Sequence, residues 1–406
     1  MKTTFWGAIV LLVATAVPAA AKEFVLIDSE ASSREADWSV TGKQLGITTG
    51  PAFSISKRTL HGGKQEGSEL IEVDNGKMTF WVIPTRGMNV LRVKTGDITL
   101  GWTSPIKEVV NPAFMTLDAR GGLGWLDGFN EWLVRCGFEW SGHPGMDDGK
   151  LMTLHGRLGN TPASKVIVSV DDQAPHRIHI RGRVDEKVFK FADYEAWTEI
   201  STEPGSISLR ISDTLTNRSD YEREFQVIYH GNFGPPLLEE GSEFVGAVKQ
   251  VTPFNANAAK DIATWTTYLG PTRDFGEQVF NVIPFADDNG MTTVMLHNKA
   301  ASLGIRITYD VKELPYFTLW KNTDTLKEGY VTGLEPGTGF AYTRRIERRL
   351  GRVPKLAPGA SRAFTLDYTI LADAQSVAAT GKDIAAIQGD RKTTVVKEPE
   401  VDPTKE

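Results

Sequence analysis

Apolar and polar residues alternate in short runs along most of the chain, with turn residues between the runs. The pattern is plain in "KMTFWVIP" (77–84), "SKVIVSV" (164–170), "HRIHIRGRV" (176–184), "SISLRISDTL" (206–215), "EFQVIYH" (224–230), "TTVMLH" (292–297), "LGIRITYD" (303–310) and "RAFTLDYTIL" (362–371). A period of two sends alternate side chains to opposite faces of an extended strand, so each run predicts a strand with one face on a core. Strands this numerous, separated by Gly, Pro, Asn and Asp, predict an all-β fold: a large antiparallel β-sandwich with few short helices. The count is too high for a small sandwich. Two large sheets in a single domain over residues 22–372 is the economical arrangement.

Three stretches break the rhythm. Residues 1–21 carry Lys2, an apolar run from Phe5 to Val17, and Ala19 and Ala21 as an A-x-A site. That is the pattern of a cleaved signal peptide, and the run is shorter than the ~20 residues a spanning helix needs. The mature chain is then expected to start at Lys22, in the periplasm or outside the cell, with no later membrane segment. Asp373 is placed to cap a short helix through "AQSVAATGKDIAAIQ", and the polar, charged residues after it are expected to form a mobile tail to 406. Residues 120–146, "RGGLGWLDGFNEWLVRCGFEWSGHPGM", hold seven glycines and three tryptophans. A long irregular segment inside a compact β domain is expected to be a binding loop.

Composition narrows the classes. Cys136 is the only cysteine, so no intramolecular disulfide can form. The formal charge of −6 becomes −7 once Lys2 is removed, and no basic run could track phosphates, which argues against a nucleic-acid partner. There is no G-x-S-x-G elbow, H-E-x-x-H helix, Walker loop or C-x-x-C pair. "GGLGWLDG" lacks the spacing of a dinucleotide fingerprint and opens no helix.

Histidine and carboxylate remain. His176 and His179 lie on a charged strand and read as solvated surface. His143 precedes Pro144 and either faces a ligand or caps a loop. His155 and His230 differ, because each closes an apolar run and is followed by glycine, in "MTLHG" and "VIYHG". Glycine there lets a substrate or another backbone approach. Glu335 in "YVTGLEPGTGF" sits at another expected strand end, and two His with one Glu form a small general acid and base set. Two readings stay open beside it: turn histidines without a task, and a His, His, Glu metal site.

Taken together, "LHGRLGNTPA" (154–163), "YHGNF" (229–233) and "GLEPGTGF" (333–340) resemble the aldose 1-epimerase (galactose mutarotase-like) superfamily, in particular a branch marked by "HGR" followed by "NTPA", and by "GLEP". The resemblance runs from about residue 70 to 371. It implies a supersandwich fold and an isomerase that interconverts sugar anomers or epimers without metal or cofactor. It further implies that His155 binds or polarises the sugar near its ring, that His230 is the general acid and that Glu335 is the general base. Glu277, with Gln278 competing for the position, matches an acidic residue that holds a sugar hydroxyl. Arg86 in "TRGMNV" and Lys321 in "LWKN" are substrate contacts by the same resemblance, or else surface salt bridges.

The chain departs from typical mutarotases at 120–146 and lacks an evident arginine motif before the first His. Trp125, Trp132 and Trp140 either stack on sugar faces or fill the core, with Trp132 and His143 counted among the substrate contacts. A carbohydrate is the expected partner. The alternatives to an epimerase are a non-catalytic sugar-binding protein and a lyase or hydrolase acting on modified glycosides.

Overall fold

The computed structural model describes residues 21–402, so the signal-peptide segment lies outside the described residues but for Ala21. Two sheets dominate, one of ten strands and one of thirteen, antiparallel but for one edge pair of the larger. The ten-stranded sheet is centred on the neighbouring strands Ser361–Leu371, Ser208–Asn217, Asp193–Thr202 and Ile178–Lys187. Across the centre of the larger sheet run Gln278–Pro284, Tyr316–Asn322, Val331–Gly337, Gln226–Phe233, Leu133–Phe138 and Asn89–Thr95. Their facing sides share one apolar core, into which Val227, Tyr229, Phe280, Phe317, Leu319 and Leu334 project from the larger sheet. Among the described residues, no helix is long and apolar enough to cross a membrane.

The core also holds a charge. Arg135 Nη1 lies 3.0 Å from Asp213 Oδ1 and donates to Thr198 Oγ1 at 2.6 Å, while Tyr229 donates its hydroxyl to Asp213 Oδ2 at 2.7 Å. Arg135 Nη2 donates to the Gly87 carbonyl. Arg135 and Tyr229 belong to the thirteen-stranded sheet, Thr198 and Asp213 to the ten-stranded one, so the network ties the two layers together. A buried charge is tolerated where its partner and remaining hydrogen-bonding capacity are supplied, and here each end of the pair has a second partner.

Two elements differ from the sequence reading. The stretch 120–146 is not irregular throughout, because Leu133–Phe138 is a strand buried at every residue. Alternation vanishes when both faces of a strand are covered, which hid it in the sequence. The expected tail is not free either. The helix Ala374–Gln388 forms with Asp373 as its capping residue, and beyond it Thr394–Val395 pairs in parallel with Val248–Pro253 at the edge of the larger sheet. Glu400 then pairs with Arg352 at 2.9 Å. An exposed sheet edge presents unpaired backbone groups, and the C-terminal segment covers part of this one.

Replacing Asp213 by alanine strands a buried guanidinium and a tyrosine hydroxyl. The variant is expected to lose roughly 3–5 kcal/mol of stability, measured by guanidinium unfolding. Adding Arg135→Met to it should recover part of that loss, since the uncompensated charge is gone; a fully additive double variant would contradict the role given to the pair.

Candidate active site

A cavity of about 140 Å³ opens on the outer face of the thirteen-stranded sheet, away from the shared core. Its floor comes from strands that alternate strictly. In Gln226–Phe233, Tyr229 points inward to Asp213 and His230 points outward to the cavity. In Tyr316–Asn322, Thr318 and Trp320 face the cavity, while Phe317 and Leu319 enter the core. Val279 and Glu335 reach the cavity from the two neighbouring strands. The sheet places His230 and Glu335 within strands rather than at strand ends, whereas His155 lies in a turn after the short strand Lys150–Met152.

Glycines make this packing possible. His155 has φ of 58° and Gly156 a φ of 74°, and a side chain on Gly156 would meet the Trp140 carbonyl at 2.2 Å. A Cβ on Gly333 would lie 2.2 Å from Glu335 Oε1, so the "GLE" glycine clears the space the carboxyl group occupies.

The polar groups converge. His230 Nε2 is 3.2 Å from Glu335 Oε1, and the rings of His155 and His230 have centroids 5.2 Å apart in an edge arrangement. His143 Nδ1 lies 2.7 Å from the Ala341 carbonyl, and since a carbonyl only accepts, that nitrogen carries the proton. Glu277 joins the rim, with Oε2 accepting from Trp320 Nε1 at 2.9 Å. Four buried cavity atoms have no partner within the protein: His155 Nδ1, His230 Nδ1, Thr318 Oγ1 and Glu335 Oε1. Buried polar atoms are normally paired, so such a cluster among the residues of one cavity marks it as a candidate site for a polar ligand.

Burial sets the protonation. It pushes the Glu335 carboxyl well above the ordinary carboxylate range, and the Glu277 carboxylate pushes in the same direction. It lowers His230 to about 4. His155 falls well below its usual value through burial and then through the neighbouring His230 and His143. Each shift favours the neutral form, because a charge held out of water is costly. A protonated carboxyl group at Glu335 and uncharged imidazoles at His230 and His155 are therefore favoured.

Four residues expected at the site lie elsewhere. Lys321 follows Trp320 on the same strand and so points to the core, where its ammonium donates to the Thr267 carbonyl at 2.8 Å and sits 4.6 Å from the Tyr268 ring centre. Gln278 faces the same way and bonds to Asp261, leaving Glu277 as the residue of that pair in the cavity. Trp132 is fully buried between the sheets, packed edge-on to Tyr368 at 5.1 Å. Arg86 is also fully buried, paired with Glu131 at 2.8 Å and donating to the Gly128 carbonyl at 2.6 Å. It holds in place the segment that roofs the cavity rather than the ligand.

The roof comes from the stretch 120–146 that the sequence set apart as a binding loop. Gly124–Gly128 is a 3-10 turn, and Leu123, Trp125, Leu126 and Phe129 from this segment line the cavity with Leu154, Ala341 and Trp320. Trp140 instead donates to the Thr153 carbonyl at 2.7 Å and packs as structure. Trp320 and Thr318 were missed; strand alternation counted from Glu335 across the sheet, where Thr318 is its direct partner, would have found them. Among the described residues, no group of three or more His, Cys, Asp or Glu side chains is arranged to hold a metal ion.

No curated protein matches the chain. Among solved structures, a candidate aldose 1-epimerase from Klebsiella pneumoniae subsp. pneumoniae is 50% identical, with a TM-score of 0.92, covering 94% of this chain and 100% of that one. A galactose mutarotase-like protein from Clostridium acetobutylicum is 15% identical with a TM-score of 0.52, over 78% of this chain and 98% of that one. A galactose mutarotase related enzyme from Lactobacillus acidophilus is 16% identical at a TM-score of 0.50, over 74% and 97%. At these lower identities the likeness is one of fold, and it agrees with the sheets described above. The model of a domain of unknown function, DUF4432, matches residues 65–370, and the chain belongs to that family, with a galactose mutarotase-like fold.

Proposed function

We infer that the protein is an isomerase that equilibrates the anomers of a small sugar, by proton transfers between Glu335, His230 and the sugar, with His155 as a polarising neighbour. The observation that carries this reading is the His230 and Glu335 pair, 3.2 Å apart and unaligned for a bond to each other, in a cavity with four unpartnered polar atoms. The reading is supported by the resemblance of the chain to candidate aldose 1-epimerases. Export of the mature chain to the periplasm or beyond is part of the same proposal and rests on the pattern of residues 1–21.

Mutarotation requires a proton to leave the anomeric hydroxyl as another reaches the ring oxygen. The bond between the anomeric carbon and the ring oxygen then breaks, leaving an open-chain aldehyde. Because burial holds Glu335 protonated and His230 neutral, Glu335 is the donor to the ring oxygen and His230 Nε2 or Nδ1 the acceptor of the hydroxyl proton. These roles are the reverse of those the resemblance implies. After transfer the pair is an imidazolium beside a carboxylate, and their attraction at 3.2 Å offsets part of the cost of two buried charges. The aldehyde rotates, the ring closes on either face, and both protons return.

Replacing Glu335 by glutamine preserves shape and neutrality while removing the acid. Its kcat in polarimetry of aldose anomers is expected to fall by about 10² to 10⁴, the usual contribution of such a group, with little change in stability or KM. Equilibration at the wild-type rate by this variant would refute the assignment.

The pH profile follows from the same shifts. Acidification protonates His230, so kcat/KM should be lost on the acid side as pH falls through about 4. On the alkaline side, activity should persist beyond the ordinary carboxylate range and fall only when Glu335 loses its raised proton. A profile whose acid limb lies near the usual imidazole value would contradict a neutral His230 as the base.

A further inference from the structure

The geometry points to a 6-deoxyaldose, an uncharged sugar ring bearing a methyl group in place of the hydroxymethyl group, as the ligand of this cavity; the inference rests on the mutarotation reading above. Charge comes first. The cavity lining contains no lysine or arginine, and its carboxyl groups are Glu277 and Glu335. Arg86 and Lys321, the cations the sequence offered, are spent on Glu131 and on backbone carbonyls away from it. A uronate or sugar phosphate would bring an anion to a buried site with no counter-charge, an arrangement proteins avoid.

Position comes second. A donor that reaches the ring oxygen and an acceptor that reaches the anomeric hydroxyl fix that edge of the sugar at His230 and Glu335. Carbon 5 is bonded to the ring oxygen, so its substituent lies against whatever flanks the same pair. The flanking surface is aromatic: Phe129, Trp320 and Trp125 have ring centres 5.5, 5.6 and 6.0 Å from that of His230. The indole N–H of Trp320 is already used by Glu277. The His155 ring, 5.2 Å from that of His230, is given to the reacting edge by the reading above. A primary hydroxyl against the three aromatic rings would therefore lose its water without gaining a partner, whereas a methyl group gains contact with them. The polar positions that remain, Glu277, Thr318 and His143, suit the ring's secondary hydroxyls. The small volume of about 140 Å³ is below the roughly 300–1,000 Å³ of ordinary ligand sites, and it favours one ring over a chain.

The test uses the intact protein and two readouts. Trp125 and Trp320 line the cavity, so ligand binding can be followed by tryptophan fluorescence, while polarimetry or NMR follows anomer equilibration. Matched pairs of hexose and 6-deoxyhexose in the D- and L-galacto and D- and L-manno configurations, with D-galacturonate, form the panel. In the best-bound configuration, the 6-deoxy sugar is expected to bind about tenfold to a hundredfold more tightly than its hexose, the range that an unpaired buried hydroxyl produces. Galacturonate is expected not to bind. Equal or tighter binding of the hexose, binding of the uronate, or quenching by none of the panel overturns the ligand class. Binding in the expected order without faster equilibration leaves the ligand class standing and removes the isomerase reading; fast equilibration with hexose preferred does the converse.

Discussion

The buried contact of Arg135 and Tyr229 with Asp213 is the constraint on which the site depends. Each of the two donors is one residue away from cavity-side groups: Arg135 lies between Val134 and Cys136, whose side chains pack under the cavity, and Tyr229 precedes His230. In a strand, fixing one side chain inward fixes the next outward. A slip of one residue in Gln226–Phe233 would bury an imidazole in the core and put a tyrosine in the cavity, while leaving Asp213 with an incomplete partner set. The Asp213 contacts therefore set the register of the strand that carries His230 as well as joining the layers. Its hydrogen bonds to Thr198 and Gly87 fix its direction, which an apolar contact of similar size would not do.

With register fixed, the chemistry follows from where water is excluded. The cavity wall is largely aromatic and aliphatic, and it holds no lysine or arginine. Burial in that setting favours the protonated form of Glu335 and the neutral forms of His230 and His155. A carboxyl and an imidazole side by side could each serve as acid or base in principle. Environment decides between them, since desolvation acts on the charged form of each and moves their affinities for protons in opposite directions.

The sequence made the layers legible because most strands are covered on one face, and one-sided burial writes alternation directly into residue order. It also pointed to His155, His230 and Glu335, whose short glycine-flanked contexts reflect close backbone packing. Position within a strand was harder to read. Lys321 and Gln278 stood one residue from Trp320 and Glu277, and a polar residue attracts attention whichever face it occupies. Only pairing across the sheet, Thr318 opposite Glu335 and Gln278 opposite Lys321, separates the faces. Leu133–Phe138 was hidden for the opposite reason, being buried on both sides. The C-terminal strand was hidden because two paired residues leave no periodic signal at all.

Arg86 shows how a polar residue can be important to a site without touching its ligand. It reaches from the turn after one strand to Glu131 and to the Gly128 carbonyl, and its Nε donates to Asn160 at 3.2 Å. Asn160 belongs to the "NTPA" stretch, so this guanidinium links that motif to the roof that carries Trp125 and Phe129. Glu131 is further held by Asn89 at 2.9 Å. Floor and roof are thus positioned by different means: the floor by strand register, the roof by a buried ion pair between loops. A change in Trp125, Leu126 or Phe129 alters what covers the cavity without touching the strands that set His230 and Glu335. In a fold of this kind the cover of the cavity can therefore change while the geometry of the His230 and Glu335 pair is kept.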